Sequence, residues 1–153
     1  VAIISENWQK VIAESVFKYA GSTYKSLVAL EDVSNDDLAK EFGKYMKYWG
    51  ELKGFSMALQ VGKDNIGESA TKLNRMIGFG PILMDETQII GIDSKGNYIM
   101  DKIYSMNDAK LHMLKIQKLM IDEFGVEAKS NDMLADMADL ASKIGTSESA
   151  END

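Results

Sequence analysis

The sequence predicts an all-α protein, an antiparallel up-down helical bundle with a small hairpin or irregular insertion near residues 79–100. Apolar residues recur at steps of three and four over long stretches, which is the period of an amphipathic helix, and the 153 residues contain a single Pro. With 45% hydrophobic residues, a chain of this length buries about 70% of its unfolded surface and forms one core without disulfides. We therefore expect one helical bundle domain over residues 1–145 and a disordered acidic tail over residues 146–153.

The first helix is predicted to begin after Ser5, whose hydroxyl would cap it, and to run for about 25 residues. Its buried stripe consists of Trp8, Ile12, Val16, Tyr19, Thr23, Leu27 and Leu30. Gly21 inside the helix is a tolerated weak point that costs about 1 kcal/mol relative to Ala. A loop follows at residues 31–34, and Ser34 with Asp37 resembles a capping box that would start the second helix.

The second helix carries the strongest periodic signal in the sequence. Steps of four and three connect Leu38, Phe42, Tyr45, Trp49, Leu52, Ser56 and Leu59. Such a stripe is typical of the seam of an antiparallel bundle. Gly43, Gly50 and Gly54 lie on a neighbouring strip, and a glycine inside a helix costs about 0.5–1 kcal/mol relative to Ala. We expect tight packing against another backbone to compensate, in preference to a bound group.

A shorter helix is predicted over residues 66–77, with Gly78 as its end. Its buried face consists of Ile66, Ala70, Leu73 and Ile77. The stretch that follows, Gly78-Phe79-Gly80-Pro81, cannot continue a helix, because Pro lacks a backbone donor and restricts the residue before it. Residues 88–92 and 97–100 flank a turn at 93–96, which indicates a hairpin or two extended arms laid over the bundle.

Two further helices are predicted after the hairpin. The first begins at Asn107 or Asp108 and ends at Gly125. Its apolar residues are Leu111, Met113, Leu114, Ile116, Met120, Ile121 and Phe124. The second begins at Ser130 or Asn131. Its inward-facing residues are Met133, Leu134, Met137, Leu140, Ala141 and Ile144, with Gly145 as its end.

The charge and composition exclude several function classes. The formal net charge of -7 and the pI near 4.8 argue against binding to duplex nucleic acid, which requires clustered Lys and Arg. The chain contains no Cys, so disulfides, thiolate metal sites and Cys nucleophiles are excluded. No apolar run reaches about 18 residues, so no transmembrane segment is predicted, and no signal-peptide pattern is found. We interpret the start at Val1, in place of Met, as that of a processed or excised chain whose upstream sequence could carry a signal, an anchor or another half-domain.

Few residues could support catalysis. The lone histidine, His112, cannot form the multi-His sites of catalytic zinc, and with Asp108 one turn away we expect a plain surface Asp–His pair. No Gly-x-Ser-x-Gly nucleophile motif occurs. Glu51 is unusual because an unpaired charge would be costly within this apolar helix, and Lys47 could pair with it. The residues at 93–97 lack the ligand pattern of an EF-hand and are interpreted as a turn.

Carboxylates and methionines near the end of the chain permit metal binding but favour simpler interpretations. Asp132, Asp136 and Asp139 share a helix face that could hold calcium, yet such a face is usually a solvated one. Met133 and Met137 could bind Cu(I) as thioethers. We place them in the core, because Met fills helical cores well.

Three segments together resemble a known family. They are Val16-Phe17-Lys18-Tyr19-Ala20-Gly21, Tyr48-Trp49-Gly50-Glu51-Leu52-Lys53-Gly54-Phe55-Ser56-Met57-Ala58-Leu59-Gln60 and Ile77-Gly78-Phe79-Gly80-Pro81-Ile82-Leu83. In this order, roughly from Trp8 to Leu83, they are similar to the C-terminal half of a domain-of-unknown-function family related to the imelysins. The resemblance implies an all-helical protein of two related bundles, exported to the periplasm or outer surface of a bacterium, and often linked with iron uptake or surface binding. The family's Gly-x-His-x-x-Glu motif is absent here, so its metal site and its peptidase label have no matching residues in this chain.

The predicted function is therefore that of an exported imelysin-like helical scaffold that binds an unidentified ligand or protein partner. The resemblance implies two candidates for what it binds, a metal ion in the full-length protein and a missing N-terminal half-domain. A peptidase-like fragment of the imelysin class and a purely structural protein–protein interaction module are the alternatives. No nucleic-acid partner and no membrane-spanning segment is expected.

The residues predicted to form a ligand or partner groove lie in the second helix and just after the third. They are Trp49, Gly50, Glu51, Lys53, Gly54, Phe79 and Pro81. We expect Phe79 and Pro81 to pack over the glycine strip. Glu51 and Lys53 would then border the groove, and the substitution Gly50→Leu would cost roughly 1–3 kcal/mol by overpacking.

Overall fold

The computed structural model describes residues 2–61, 66–102 and 104–127. Within these residues the chain forms four helices and one two-stranded sheet. In chain order they are α1 (Ala2–Glu31), α2 (Leu38–Gln60), α3 (Glu68–Ile77), β1 (Gln88–Ile92), β2 (Tyr98–Asp101) and α4 (Met106–Phe124). The predicted all-α fold with a small hairpin insertion is confirmed. The helix predicted to begin at Ser130 or Asn131 and the tail at residues 146–153 lie outside the described residues.

The helices pack as antiparallel neighbours around α1. Both α2 and α4 pack against α1, and α3 packs against α2 and α4. Only residues 32–37 connect α1 to α2, a link so short that the two helices run antiparallel. Lys110 in the first turns of α4 pairs with Glu31 at the end of α1 over 2.5 Å. Further along α4, the Gln117 side chain donates to the Phe17 carbonyl at 3.1 Å, so α4 also runs antiparallel to α1.

The N-terminal end of α1 differs from the prediction. The helix already begins at Ala2, so Ser5 lies inside it and is not its cap. The predicted stripe is buried or half-buried from Ile12 to Leu30, but Trp8 is 62% exposed. Placing Trp8 in the core was wrong, because periodicity identifies one side of a helix and does not show whether a neighbouring element covers every turn of it.

The predicted seam of α2 is confirmed. Its fully buried members are Tyr45, Leu52, Ser56 and Leu59, and its half-buried members are Leu38, Phe42 and Trp49. Ahead of the helix, the Ser34 hydroxyl accepts a hydrogen bond from the Asp37 backbone N–H at 3.3 Å. This contact closes a turn, and the helix begins one residue later at Leu38.

The helix α3 is shorter than predicted and begins at Glu68. Its core residues are Leu73, Met76 and Ile77, whereas Ile66 and Ala70 are only half-buried. Gly78 ends the helix, as predicted.

The hairpin is confirmed as an antiparallel pair of strands. Ile92 lies opposite Tyr98 at the tip, and a bulge interrupts the register between Ile89 and Gly91. Asp93 closes the turn, since its carboxylate accepts the backbone N–H groups of Lys95 and Asn97, both at 2.8 Å. The hydrogen bond from the Asn97 side chain, together with these backbone hydrogen bonds, holds the pKa of Asp93 below its usual value.

The helix α4 begins at Met106, slightly earlier than predicted, because Ser105 is its N-cap. The Ser105 hydroxyl accepts from the Asp108 backbone N–H at 3.2 Å. In return, the Asp108 carboxylate accepts from the Ser105 backbone N–H at 3.0 Å. This reciprocal pair is a capping box. Gly125 ends the helix in the left-handed conformation, as predicted.

The seam of α2 gives a direct test of the fold. We expect Leu52→Ala to lower the free energy of unfolding by about 2–5 kcal/mol, because it empties a fully buried position. Met57→Ala on the same helix is the matched control, since Met57 is 56% exposed; its effect should stay within about 0.5 kcal/mol. Urea denaturation followed by circular dichroism measures both values. Equal losses in the two variants would contradict the assignment of the buried side of α2.

Candidate functional site

One flank of α2 holds the C-terminal end of α3. The Trp49 indole N–H donates to the Ile77 carbonyl at 3.2 Å, and the Lys53 ammonium donates to the Gly78 carbonyl at 2.5 Å. Carbonyls at a helix C-terminus have no partner within their own helix, and the negative end of the helix dipole favours a cation there. Partial burial in this position lowers the pKa of Lys53. Trp49 and Lys53 therefore cap α3 from outside.

Two further side chains, those of Gln88 and Tyr45, bind the backbone of the chain that follows α3. Gln88, the first residue of β1, is buried, and its amide donates to the Gly80 carbonyl and, at 3.1 Å, to the Tyr104 hydroxyl. The Tyr45 hydroxyl of α2 accepts the Ile82 backbone N–H at 2.9 Å. We name residues 77–82 the anchored loop, because side chains from α2 and β1 bind its backbone groups.

The anchored loop depends on glycine at one position in particular. Gly78 has φ 78 and ψ 178, a conformation that is essentially restricted to glycine. A methyl group there would also collide with the Gln88 side-chain amide. Gly80 also has little space for a side chain, because an added Cβ would lie 3.0 Å from Ile89 Cβ.

One strip on the solvent side of α2 is apolar and exposed. We name it the open face; it consists of Ala39, Gly43, Met46, Gly50, Gly54, Met57 and Val61, all exposed. Apart from the backbone of α2 itself, no described residue comes within 4 Å of a Cβ built at Gly43, Gly50 or Gly54. Val61 at the end of the helix is 84% exposed.

The predicted cover of the glycine strip was therefore wrong. Phe79 is 56% exposed, and Pro81 is buried beside Ile82, whose backbone is held by Tyr45. The anchored loop and the glycines lie on different sides of α2. Gly50 is about 100° further around the helix than Trp49, and Gly54 is about 100° further around than Lys53. The expected cost of Gly50→Leu by overpacking is accordingly not supported.

Of the seven predicted groove residues, four belong to the anchored loop or bind its backbone. Trp49 and Lys53 contact the anchored loop, to which Phe79 and Pro81 belong. Glu51 lies on the opposite flank of α2, where Lys47 is 4.0 Å away, as expected. A hydrogen bond to Glu51 also raises the pKa of Tyr19 on α1.

Two residues that fix the loop, Tyr45 and Gln88, were not predicted as site residues. Tyr45 was assigned only to the seam, and its hydroxyl partner lies 37 residues away in the sequence. A buried Gln on a short strand is the one local signal that could have pointed to Gln88, since a buried amide requires partners.

His112 is not the surface residue that we expected. Its side chain is fully buried, and its ring lies 5.0 Å from the Tyr104 ring in an edge-to-face arrangement. Asp108, the expected surface partner, is also buried and caps α4. The prediction failed because α4 is covered on more sides than its apolar pattern indicates. Within residues 2–61, 66–102 and 104–127, no three His, Asp or Glu side chains are grouped so that they could hold a metal ion.

The comparisons with known proteins give no match. No family model, curated protein or solved structure matches the chain. Among the described helices, none has the length and apolar character needed to cross a membrane.

The two kinds of glycine predict opposite mutational effects. Gly50→Ala should raise the free energy of unfolding by about 0.5–1 kcal/mol, because the position is open and Ala favours the helix. Gly78→Ala should lower it by about 1–3 kcal/mol, because its backbone conformation is strained for Ala. Thermal and urea unfolding measure both. A loss of stability in Gly50→Ala would show that something covers the open face.

The anchored loop also predicts a specific loss of stability at high pH. Burial raises the pKa of Tyr104 to about 12, above the value of about 10 in an unfolded chain. The folded state holds this proton more tightly, so its contribution to stability is complete below pH 10 and is lost as the pH rises towards 12.

The measurement is the free energy of unfolding from pH 9 to pH 12. Tyr104→Phe should be less stable than the natural chain at pH 9, since Gln88 loses a partner, and should lose less stability above pH 10. Tyr98→Phe is the control, because Tyr98 is exposed. An identical alkaline loss in all three proteins would contradict the assignment.

Proposed function

We propose that this chain is a non-catalytic helical scaffold that binds a helical partner on the open face of α2. The observation that carries the proposal is that α2 is apolar on two opposite sides. One side is the seam; the other is the open face, exposed along its whole length. A surface helix ordinarily presents polar residues to water, and a helix that is apolar all round is ordinarily buried.

The composition of the open face suits another helix. Gly43, Gly50 and Gly54 carry no side chains, so a second backbone could approach closely. Met46 and Met57 lie between and beside them with flexible thioether side chains that adapt to different apolar surfaces. The glycines weaken α2 on its own, by about 0.5–1 kcal/mol each, and contact with a partner would offset that loss.

The support beneath the face is rigid, which favours a preformed binding surface. Tyr45 and Leu52 anchor α2 in the core. Trp49 and Lys53 tie its flank to the anchored loop. A partner would therefore bind without first ordering the helix that it contacts.

The peptidase alternative receives less support. His112 is fully buried, and Glu51 interacts with Lys47 and Tyr19 on the far flank of α2. The two side chains thus offer no joint approach to a substrate. A structural interaction module would use the same open face and would differ in holding its partner permanently.

The family resemblance gives the proposal its narrower form. If the chain is the C-terminal half of an exported imelysin-like protein, the partner on the open face is the related helical bundle of the other half. Export to the periplasm or outer surface and a link with metal uptake remain predictions of that resemblance.

Site-specific photo-crosslinking in the native host tests the proposal. A photoreactive amino acid at position 57, in the open face, should give an adduct of one defined mass. The same group at position 25, exposed on α1, should not. Mass spectrometry of the adduct identifies the partner segment.

Gly54→Glu is the decisive variant in the same experiment. A carboxylate in the close contact should abolish the adduct, while the stability of the chain rises slightly, because Glu favours the helix over Gly. Ala29→Glu, at an exposed position of α1, is the matched control because it adds the same single negative charge. Adducts that persist in Gly54→Glu, or that form equally from positions 25 and 57, would exclude the open face as the binding surface.

A further inference from the structure

The hairpin extends from the bundle as an apolar arm. We name residues 88–101 the arm. Five of its side chains, those of Ile90, Ile92, Tyr98, Ile99 and Met100, are between 42% and 68% exposed. Among the described residues, neither strand packs extensively on a helix. Gln88 at the base of the arm connects it to the anchored loop.

One edge of the arm is partly covered and the other is open. Next to β1, Ile82 forms an isolated antiparallel bridge with Gln88, and the Leu83 backbone N–H donates to the Thr87 carbonyl at 2.8 Å. In the described part of the chain, β2 pairs only with β1. Among the described residues, the backbone N–H and C=O groups on the outer edge of β2 therefore have no strand partner.

Three of the four residues of β2 lack the side chains that usually protect an edge strand. Proteins block such edges with charged residues, Pro or bulges. Tyr98, Ile99 and Met100 are uncharged, none of them is Pro, and the bulge lies in β1. The one charged residue of β2 is Asp101, at its end. A two-stranded sheet is also marginally stable alone and gains from a further strand.

We infer that β2 pairs antiparallel with β2 of a second copy of this chain, around a twofold axis at Ile99. Antiparallel pairing is self-complementary, so that Tyr98 lies opposite Met100 of the other copy and Ile99 opposite Ile99. The two arms form one four-stranded antiparallel sheet.

Charge complementarity favours this register. The register places the turn of one copy's arm beside the base of the other copy's arm. Asp101 lies two residues from Ile99 towards the base, and Lys95 lies four residues from it towards the tip. In this register Asn97 of the second copy lies opposite Asp101, and Lys95 lies two residues from Asn97 in the turn. The long Lys95 side chain of the second copy can then reach the Asp101 carboxylate, twice by symmetry.

The neighbouring lysine does not compete for Asp101. Lys102 pairs with Glu86 of its own chain at 2.8 Å, whereas Lys95 has no ion pair among the described residues. A contact of one strand on one strand is small, so the dimer is weak and depends on concentration. The inference does not rest on the proposed function, because β2 and the open face are separate surfaces.

Cysteine cross-linking tests the register, and the absence of natural Cys makes it unambiguous. Ile99→Cys lies on the axis and should form a disulfide-linked homodimer under mild oxidation. Tyr98→Cys and Met100→Cys should cross-link efficiently only when the two variants are mixed. Ile92→Cys, equally exposed but on β1, is the matched control. Equal cross-linking of Ile92→Cys and Ile99→Cys would overturn the inference.

Sedimentation equilibrium with a charge swap tests the contact without cross-links. Asp101→Lys should weaken dimerisation about tenfold or more, since it places like charges side by side. Adding Lys95→Asp to that variant should restore dimerisation. Circular dichroism confirms that each variant is folded. A chain that stays monomeric at millimolar concentration, a failed rescue, or a dimer lost in Gly54→Glu but not in Asp101→Lys would each contradict pairing through β2.

Discussion

The structure depends on how the backbone of residues 77–82 satisfies its polar groups. From Gly78 to Pro81 the chain continues neither the helix nor a strand, because Gly78 has a non-helical conformation and Pro81 lacks a backbone donor. Much of this segment is buried, and buried carbonyl and N–H groups require partners. Side chains provide them: Trp49 and Lys53 at the end of α3, Gln88 in the middle and Tyr45 at the exit. These contacts determine where α3 ends and where the hairpin begins.

This requirement also determines how α2 uses its surface. Tyr45, Leu52 and Ser56 face the core, and the flank with Trp49 and Lys53 is occupied by the anchored loop. The opposite flank carries Tyr48 and Phe55, which contact Tyr19 of α1. What remains is the open face, on the side directly away from the core. Its three glycines have no neighbour among the described residues other than α2 itself.

Local chemistry made the elements predictable, and distant contacts made the site unpredictable. The seam of α2 follows from apolar spacing, the ends of α3 and α4 from Gly78 and Gly125, and the hairpin from its turn residues, all of which are short-range signals. Burial of His112 and exposure of Trp8 depend instead on which elements lie opposite, which periodicity does not encode. The groove prediction shows the same limit. It selected Trp49 and Lys53, which bind the anchored loop, and Phe79 and Pro81, which belong to that loop. It could not show that the loop is bound on the flank of α2 while the glycines have no neighbour among the described residues. The family resemblance, which no comparison supports, stays a prediction.

The anchored loop connects the open face and the arm, the two exposed apolar surfaces of the described residues. Lys53 borders Gly50 and Gly54 on the surface of α2 and also binds Gly78. Gln88 binds Gly80 and is at the same time the first residue of β1. The orientation of the arm relative to the open face is thus transmitted through the few residues between Gly78 and Gly80. Because Gly78 tolerates no side chain and both carbonyls are held by buried or half-buried donors, this segment has little freedom to adjust. Gly78 is only two residues from Gly80, to which the base of the arm is bound. A partner that displaced Lys53 from Gly78 would therefore change the position of the arm, whereas a partner that contacted only the glycines would leave it unchanged.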